Sequence, residues 1–209
     1  MVIKVKQFWQ SEFTEHEDVM ALTRQQLLGS FEKLLETATD CIKSGGKILF
    51  FGNGGSAADA QHLATELSAR YKTNRAAIAA ISLATDTSTL TAIGNDFGFE
   101  HVFSRQIEAI GRKGDVAICI STSGNSPNVL KAIEQCKAQG ITTVGFTGFS
   151  GGKMAPLCDI LLNVPSTTTA RIQEMHITLG QMFCGALEMN LGLVAETQPL
   201  TVAPVAKTA

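Results

Sequence analysis

The chain is predicted to be an α/β protein: a doubly wound parallel sheet of five strands, flanked by helices, with a long helix towards each end. Three observations carry that expectation. Short apolar runs such as Lys47 to Phe51 (KILFF) and Asp115 to Ser121 (DVAICIS) alternate with stretches of helical period. Strands that are apolar throughout, and not at every second residue, are covered on both faces, as in a parallel sheet with crossover helices. The runs also lead into glycine- or serine-rich turns at helix starts, Asn53 to Ser56 and Ser121 to Ser126.

Taken in order, Thr14 to Ser44 reads as helix. Thr14 and Glu17 have capping-box spacing, and apolar residues recur at Leu27, Leu28, Phe31, Leu34, Leu35, Ala38 and Ile42 before Gly45-Gly46 stops the pattern. Lys47 to Phe51 is the first strand, and a helix follows from about Ser56 to Arg70. Ala77 to Leu83 is the second strand, followed by a short helix after Asp86 and another over Val102 to Ile110. Asp115 to Ser121 is the third strand. Ser126 then reads as the cap of a helix with Pro127 at its first position and Gly140 just past its end. Ile141 to Thr147 and Asp159 to Val164 complete the sheet, and a long helix runs from about Thr169 beyond Glu188. Residues 1–195 are expected to form one domain with a helical extension, and 196–209 a polar tail.

Composition narrows the function classes. Of 209 residues, 44% are apolar and 17% charged, against roughly 25% charged in an average soluble domain. That balance is the reverse of a disordered chain's. No run reaches the roughly 18 apolar residues of a membrane span, and Met1 to Gln10 lacks the apolar core of a signal peptide. The five cysteines are scattered, with no C-x-x-C pair, so neither a disulfide framework nor a cysteine zinc site is expected, and a reduced cytoplasm is. A formal charge of −2 without a Lys/Arg cluster provides no footprint for nucleic acid or for a membrane surface. So little charge in a 209-residue chain points to additional buried surface, and hence to a homo-oligomer.

In a doubly wound sheet the ligand lies at the carboxyl ends of the strands, beside the topological switch point. Ser121-Thr122-Ser123-Gly124-Asn125-Ser126 places four hydroxyls and a glycine at a helix amino terminus. Free N–H groups and the positive end of the helix dipole favour an anion there, and phosphate is the anion expected. No Lys follows the glycine, so this is not a nucleotide P-loop. Gly52-x-Gly54-x-x-Ala57 loosely fits a dinucleotide fingerprint, but the acidic residue that reading requires is missing from the end of the second strand, since Asp86 comes too late. A smaller ligand is expected, with Asn53 and Ser56 facing it.

His62 and Glu66 share a helix face at a spacing of four. They could hold one divalent metal, move a proton, or form a surface pair. On the last helix, Gln181 falls roughly 80° from Gln173, and His176 roughly 60° away on the other side. The two glutamines can therefore flank one pocket.

The segments FGNGGSAADAQHLATELSARY, AIGNDFGFEHVFSRQ, GDVAICISTSGNSPNVLKAI and GGKMAPLCDILLNVPS with TARIQEMH resemble the bacterial phosphoheptose isomerases, in order and spacing, over about Lys47 to Glu188. The resemblance implies the flavodoxin-like sugar-isomerase (SIS) sheet and a cytoplasmic homotetramer with active sites between subunits. It also implies conversion of sedoheptulose 7-phosphate to D-glycero-D-manno-heptose 7-phosphate through an enediol, for envelope lipopolysaccharide heptose. By the same resemblance Asn53, Gly54, Gly55, Asn95 and Asp96 would contact the sugar phosphate, and Ser121, Thr122, Ser123 and Ser126 would cradle its phosphate. His62, Glu66 and Gln173 match zinc ligands, Gln173 and Glu66 also meeting substrate, and Glu66 matches the base. One position departs: Gln181 stands where the family has a second histidine, a zinc ligand and acid/base partner. A glutamine carbonyl can ligate a cation but cannot shuttle a proton at neutral pH. His176 points partly away from Gln181 and is a poor substitute. A second reading is a non-enzymatic relative that binds the bacterial replication initiator; retention of His62 and Glu66 favours the enzyme.

Overall fold

In a computed structural model, residues 4–195 are described; the tail expected at 196–209 lies outside them. The elements are α1 (Val5–Gln26), α2 (Leu28–Lys43), β1 (Ile48–Gly52), α3 (Gly55–Ser68), β2 (Ala80–Ser82), α4 (Thr87–Phe97), α5 (Ser104–Ile110), β3 (Val116–Ile120), α6 (Pro127–Ala138), β4 (Thr142–Gly148), β5 (Ile160–Val164) and α7 (Thr169–Asn190). The five strands lie in the order β2-β1-β3-β4-β5, all parallel. After β1 the chain goes outward to β2 and returns on the other side as β3, so the switch point falls between β1 and β3.

The sheet divides the interior into two cores. Ile48 and Phe50 of β1, with Val116, Ile118 and Ile120 of β3, face Leu34, Leu63, Leu67, Met175 and Phe183 from α2, α3 and α7. Leu49, Phe51, Ala117 and Cys119 face Ile107, Val129, Ala132 and Ile133 from α5 and α6. All five residues of β1 and all five of β3 are buried, which is why these runs show no alternation. Cys119 acts there as a small hydrophobe, and burial pushes its thiol well above the usual range.

Three local expectations are corrected. The first helix starts at Val5, and the Thr14/Glu17 capping box does not form, because both residues lie inside α1. A cap needs a chain that leaves the helix before it, and nothing between Lys4 and Thr14 breaks the helical path. The chain instead breaks at Leu27 (φ −101°, ψ 1°), whose side chain is buried, and α2 sets off separately onto the sheet. Second, β2 is only Ala80–Ser82, as an edge strand with a neighbour on one side alone. Third, Ser126 stands at the start of α6 without a side-chain capping bond. Its Oγ lies 3.0 Å from Ser121 Oγ.

Candidate active site

The two ligand loops begin side by side, because Gly52 at the end of β1 is in register with Ile120 at the end of β3. A side chain at position 52 would come within 2.7 Å of both the Ile120 carbonyl and Ser56. That glycine lets the first loop turn over the sheet edge into α3. In the second loop Gly124 has φ +63° and its N–H donates to the Ser121 carbonyl. A Cβ there would run into the Gly151 carbonyl of the turn after β4. Ser121 is buried, Thr122 and Ser126 are half-buried and Ser123 is exposed, so the loop presents hydroxyls and the free amides of α6 to the ligand edge. Nothing cationic lies in either loop; attraction for an anion comes from oriented N–H groups and the helix dipole.

His62, Glu66 and Gln181 meet where α3 crosses α7. Gly180 permits this approach, since a Cβ there would lie 2.5 Å from Leu63 of α3. His62 Nε2 is 3.1 Å from Glu66 Oε1, and the Gln181 amide reaches the same imidazole nitrogen. Gln173, nearer the start of α7, abuts the first loop so closely that a side chain at Gly55 would overlap its amide. The structure therefore sets the two loops side by side with Gln173 against the first of them, and brings His62, Glu66 and Gln181 together further along α3 and α7. Asn95 and Asp96 are exposed at the end of α4, with Asn95 Nδ2 donating to Asp96 Oδ1 at 2.7 Å, and are not hydrogen-bonded to either loop.

His176 is fully buried, and its Nε2 is 3.0 Å from the Thr147 carbonyl. It faces the sheet, away from the His62–Gln181 contact, so it does not replace a proton carrier. Burial pushes its pKa down to about 4, partly opposed by the Thr147 hydrogen bond. The unfolded chain then takes up this proton first, so stability is lost as pH falls from about 6.5 to about 4, by roughly 3 kcal/mol in all. The buried Asp59 carboxyl, pushed up to about 6 by desolvation, acts with opposite sign: its contribution is lost as pH rises through about 6. His176→Gln, which keeps a donor for Thr147, is expected to gain stability relative to the wild type as pH falls over that window. Thermal melts of both proteins from pH 7 to pH 4 check this; a difference independent of pH would refute it.

Some groups that shape the site are absent from the sequence reading. Arg75 and Glu188 form a buried ion pair, Nε to Oε1 at 2.7 Å, that ties the end of α3 to α7. Asn128 is buried at the start of α6 and hydrogen-bonded to Asn53. Its weak signal is an asparagine just inside a helix, where its propensity is poor.

The fold and the serine loop define an SIS domain, and the family model described as SIS domain matches residues 11–148. A phosphoheptose isomerase of Paramagnetospirillum magneticum is 55% identical over 186 residues, covering 89% of this chain and 97% of the relative. The solved phosphoheptose isomerase of Neisseria gonorrhoeae superposes with a TM-score of 0.84 at 43% identity, over 89% of this chain and 100% of that one. That of Francisella tularensis gives 0.87 at 32% identity, over 90% and 100%. The chain belongs to the phosphoheptose isomerase family of SIS-domain enzymes. Among the described residues no helix is long and apolar enough to cross a membrane.

Proposed function

We propose that the protein interconverts sedoheptulose 7-phosphate and D-glycero-D-manno-heptose 7-phosphate in the cytoplasm, supplying heptose for envelope lipopolysaccharide. The observation that carries this reading is the presence, on one chain, of a charge-free phosphate cradle and of a carboxylate, Glu66, held against His62 one turn away on α3. Ser121, Thr122, Ser123 and Ser126 would hold the phosphate at the amino terminus of α6. The sugar would extend past Asn53, Gly54 and Gly55 towards Glu66 and Gln173, with Asn95 and Asp96 contacting it from α4. Glu66 takes the proton from C1 of the ketose and returns it to C2, while the other proton passes between the adjacent enediol oxygens. The Gln181 amide donates to the oxygen that gains charge.

The polar contacts fit a divalent cation. Glu66 Oε1 would accept a hydrogen bond from the N–H at His62 Nε2, whereas the Gln181 amide nitrogen would donate one to that same imidazole nitrogen. One imidazole nitrogen cannot satisfy both. Turning the amide presents its oxygen, and with His62 Nε2 unprotonated the three side chains would each offer a lone pair to a cation. His62, Glu66, Gln173 and Gln181 would hold zinc, and because no three His, Cys, Asp or Glu side chains converge among the described residues, amide oxygens complete the set. When bound, the ion would polarise the substrate carbonyl.

The exposed apolar residues of α1, Phe8, Trp9, Phe13, Met20 and Leu22, together with Met182 of α7, support assembly as a homotetramer with sites between subunits. The five unpaired cysteines agree with a reducing compartment. Protein purified without chelator is expected to carry stoichiometric zinc and to convert sedoheptulose 7-phosphate to the aldose, followed by NMR. Absence of turnover would overturn the assignment; turnover by metal-free protein would remove zinc from it.

A further inference from the structure

We propose that Asn128 is a positioning residue that decides which way round the Asn53 amide faces the sugar phosphate. The inference rests on the reading of Asn53 as a substrate contact. The two ends of a carboxamide have nearly the same shape, so only hydrogen bonds decide which end is oxygen and which is nitrogen. At Asn128 the decision comes from the backbone: the Val129 N–H donates to Asn128 Oδ1 at 3.0 Å, and a main-chain donor cannot reverse its polarity. With that oxygen fixed, Asn53 Nδ2 donates to Asn128 Oδ1 at 2.8 Å, and Asn128 Nδ2 donates to Asn53 Oδ1 at 2.8 Å. The cyclic pair therefore transmits the polarity of a helix amide to a side chain on another loop.

Each end of the half-buried Asn53 amide keeps unused capacity, one N–H and one lone pair, for a ligand. Asn128 is only 2% exposed and acts through Asn53. The pair also joins the loop after β1 to the first turn of α6, 75 residues apart in the chain. It spans the switch point and holds the sugar-facing loop at a set distance from the phosphate cradle.

The experiment is a double-replacement cycle on kcat/KM with sedoheptulose 7-phosphate. Asn128→Ala is expected to lower kcat/KM on the order of 10- to 100-fold, as both hydrogen bonds to Asn53 are lost and its amide is released. In an Asn53→Ala background the same replacement should cost almost nothing further. Affinity for inorganic phosphate, which reads the serine loop and the amides at the start of α6, should change less than about 3-fold, since neither bond to Asn53 involves a group of that loop and the Val129 N–H that is freed remains a donor at the helix start. Asn128→Asp guards against misfolding, because it keeps the acceptor for Val129 and Asn53. Its kcat/KM relative to the wild type should rise as pH falls, when the protonated carboxyl can again donate to Asn53 Oδ1. An active wild type in which the two alanine replacements add independently, or an Asn128→Asp ratio flat with pH, overturns the positioning role alone. A wild type that does not turn over the heptulose phosphate overturns the isomerase reading, and the positioning role with it.

Discussion

Glu66→Gln is expected to lower kcat between about 10²- and 10⁴-fold, the range that a positioned proton carrier contributes. Glutamine has the shape of the glutamate and still reaches His62, so the α3–α7 contact and the fold should persist. What disappears is a carboxylate able to take a proton from carbon. With 17% of its side chain exposed, Glu66 is reachable from solvent without being solvated like a surface carboxylate. Inorganic phosphate affinity should remain that of the wild type, because the serine loop is on a different element. Metal content of the variant separates the two duties assigned to this residue. Lost turnover with zinc retained identifies the base, and lost zinc identifies the ligand. Undiminished turnover would sink the role altogether.

Glu188→Ala is expected to cost about 3–5 kcal/mol of stability, the usual consequence of leaving one buried charge without its partner. The Arg75 side chain is fully buried and Glu188 is 2% exposed. Glu188 Oε1 accepts from Arg75 Nε at 2.7 Å and from the Tyr71 N–H at 3.1 Å. The guanidinium also donates to the carbonyls of Glu66, Ala69 and Ala76. Two of these, Glu66 and Ala69, belong to the end of α3, where a cation is favourable to the helix dipole. Without Glu188 the guanidinium stays buried and uncompensated, and the turn that carries Glu66 loses its anchor to α7. Chemical denaturation measures the loss; a cost below about 1 kcal/mol would mean that water reaches the cation. Replacing both partners by apolar residues of similar size should restore much of the stability.

Much of the fold, and the local patterns at the candidate site, are legible in the sequence. The fully apolar strands, the two loops at helix starts and the four-residue spacing of His62 and Glu66 are local patterns, and each lies where its pattern implied. Helix α1 was misread because a capping pair is local evidence that holds only if the preceding residues leave the helix. Asn128 and Glu188 were invisible for a different reason. Their partners are 75 and 113 residues away, and an asparagine or a glutamate on a helix usually faces water.

The sequence by itself determined the parallel sheet and, at the carboxyl ends of its strands, two loops at helix starts whose chemistry suits an anion. These follow from hydrophobic periodicity and from the unpaired amides of a helix start, both of which act over a few residues. Only the tertiary structure decided that Gln181 meets His62, that Arg75 anchors α3, and that Asn53 pairs with Asn128 across the switch point. Those outcomes depend on how closely two helices approach at Gly180 and on which buried donors find acceptors across the switch point. Packing settles both, because a buried polar group must be satisfied by whatever the fold brings beside it.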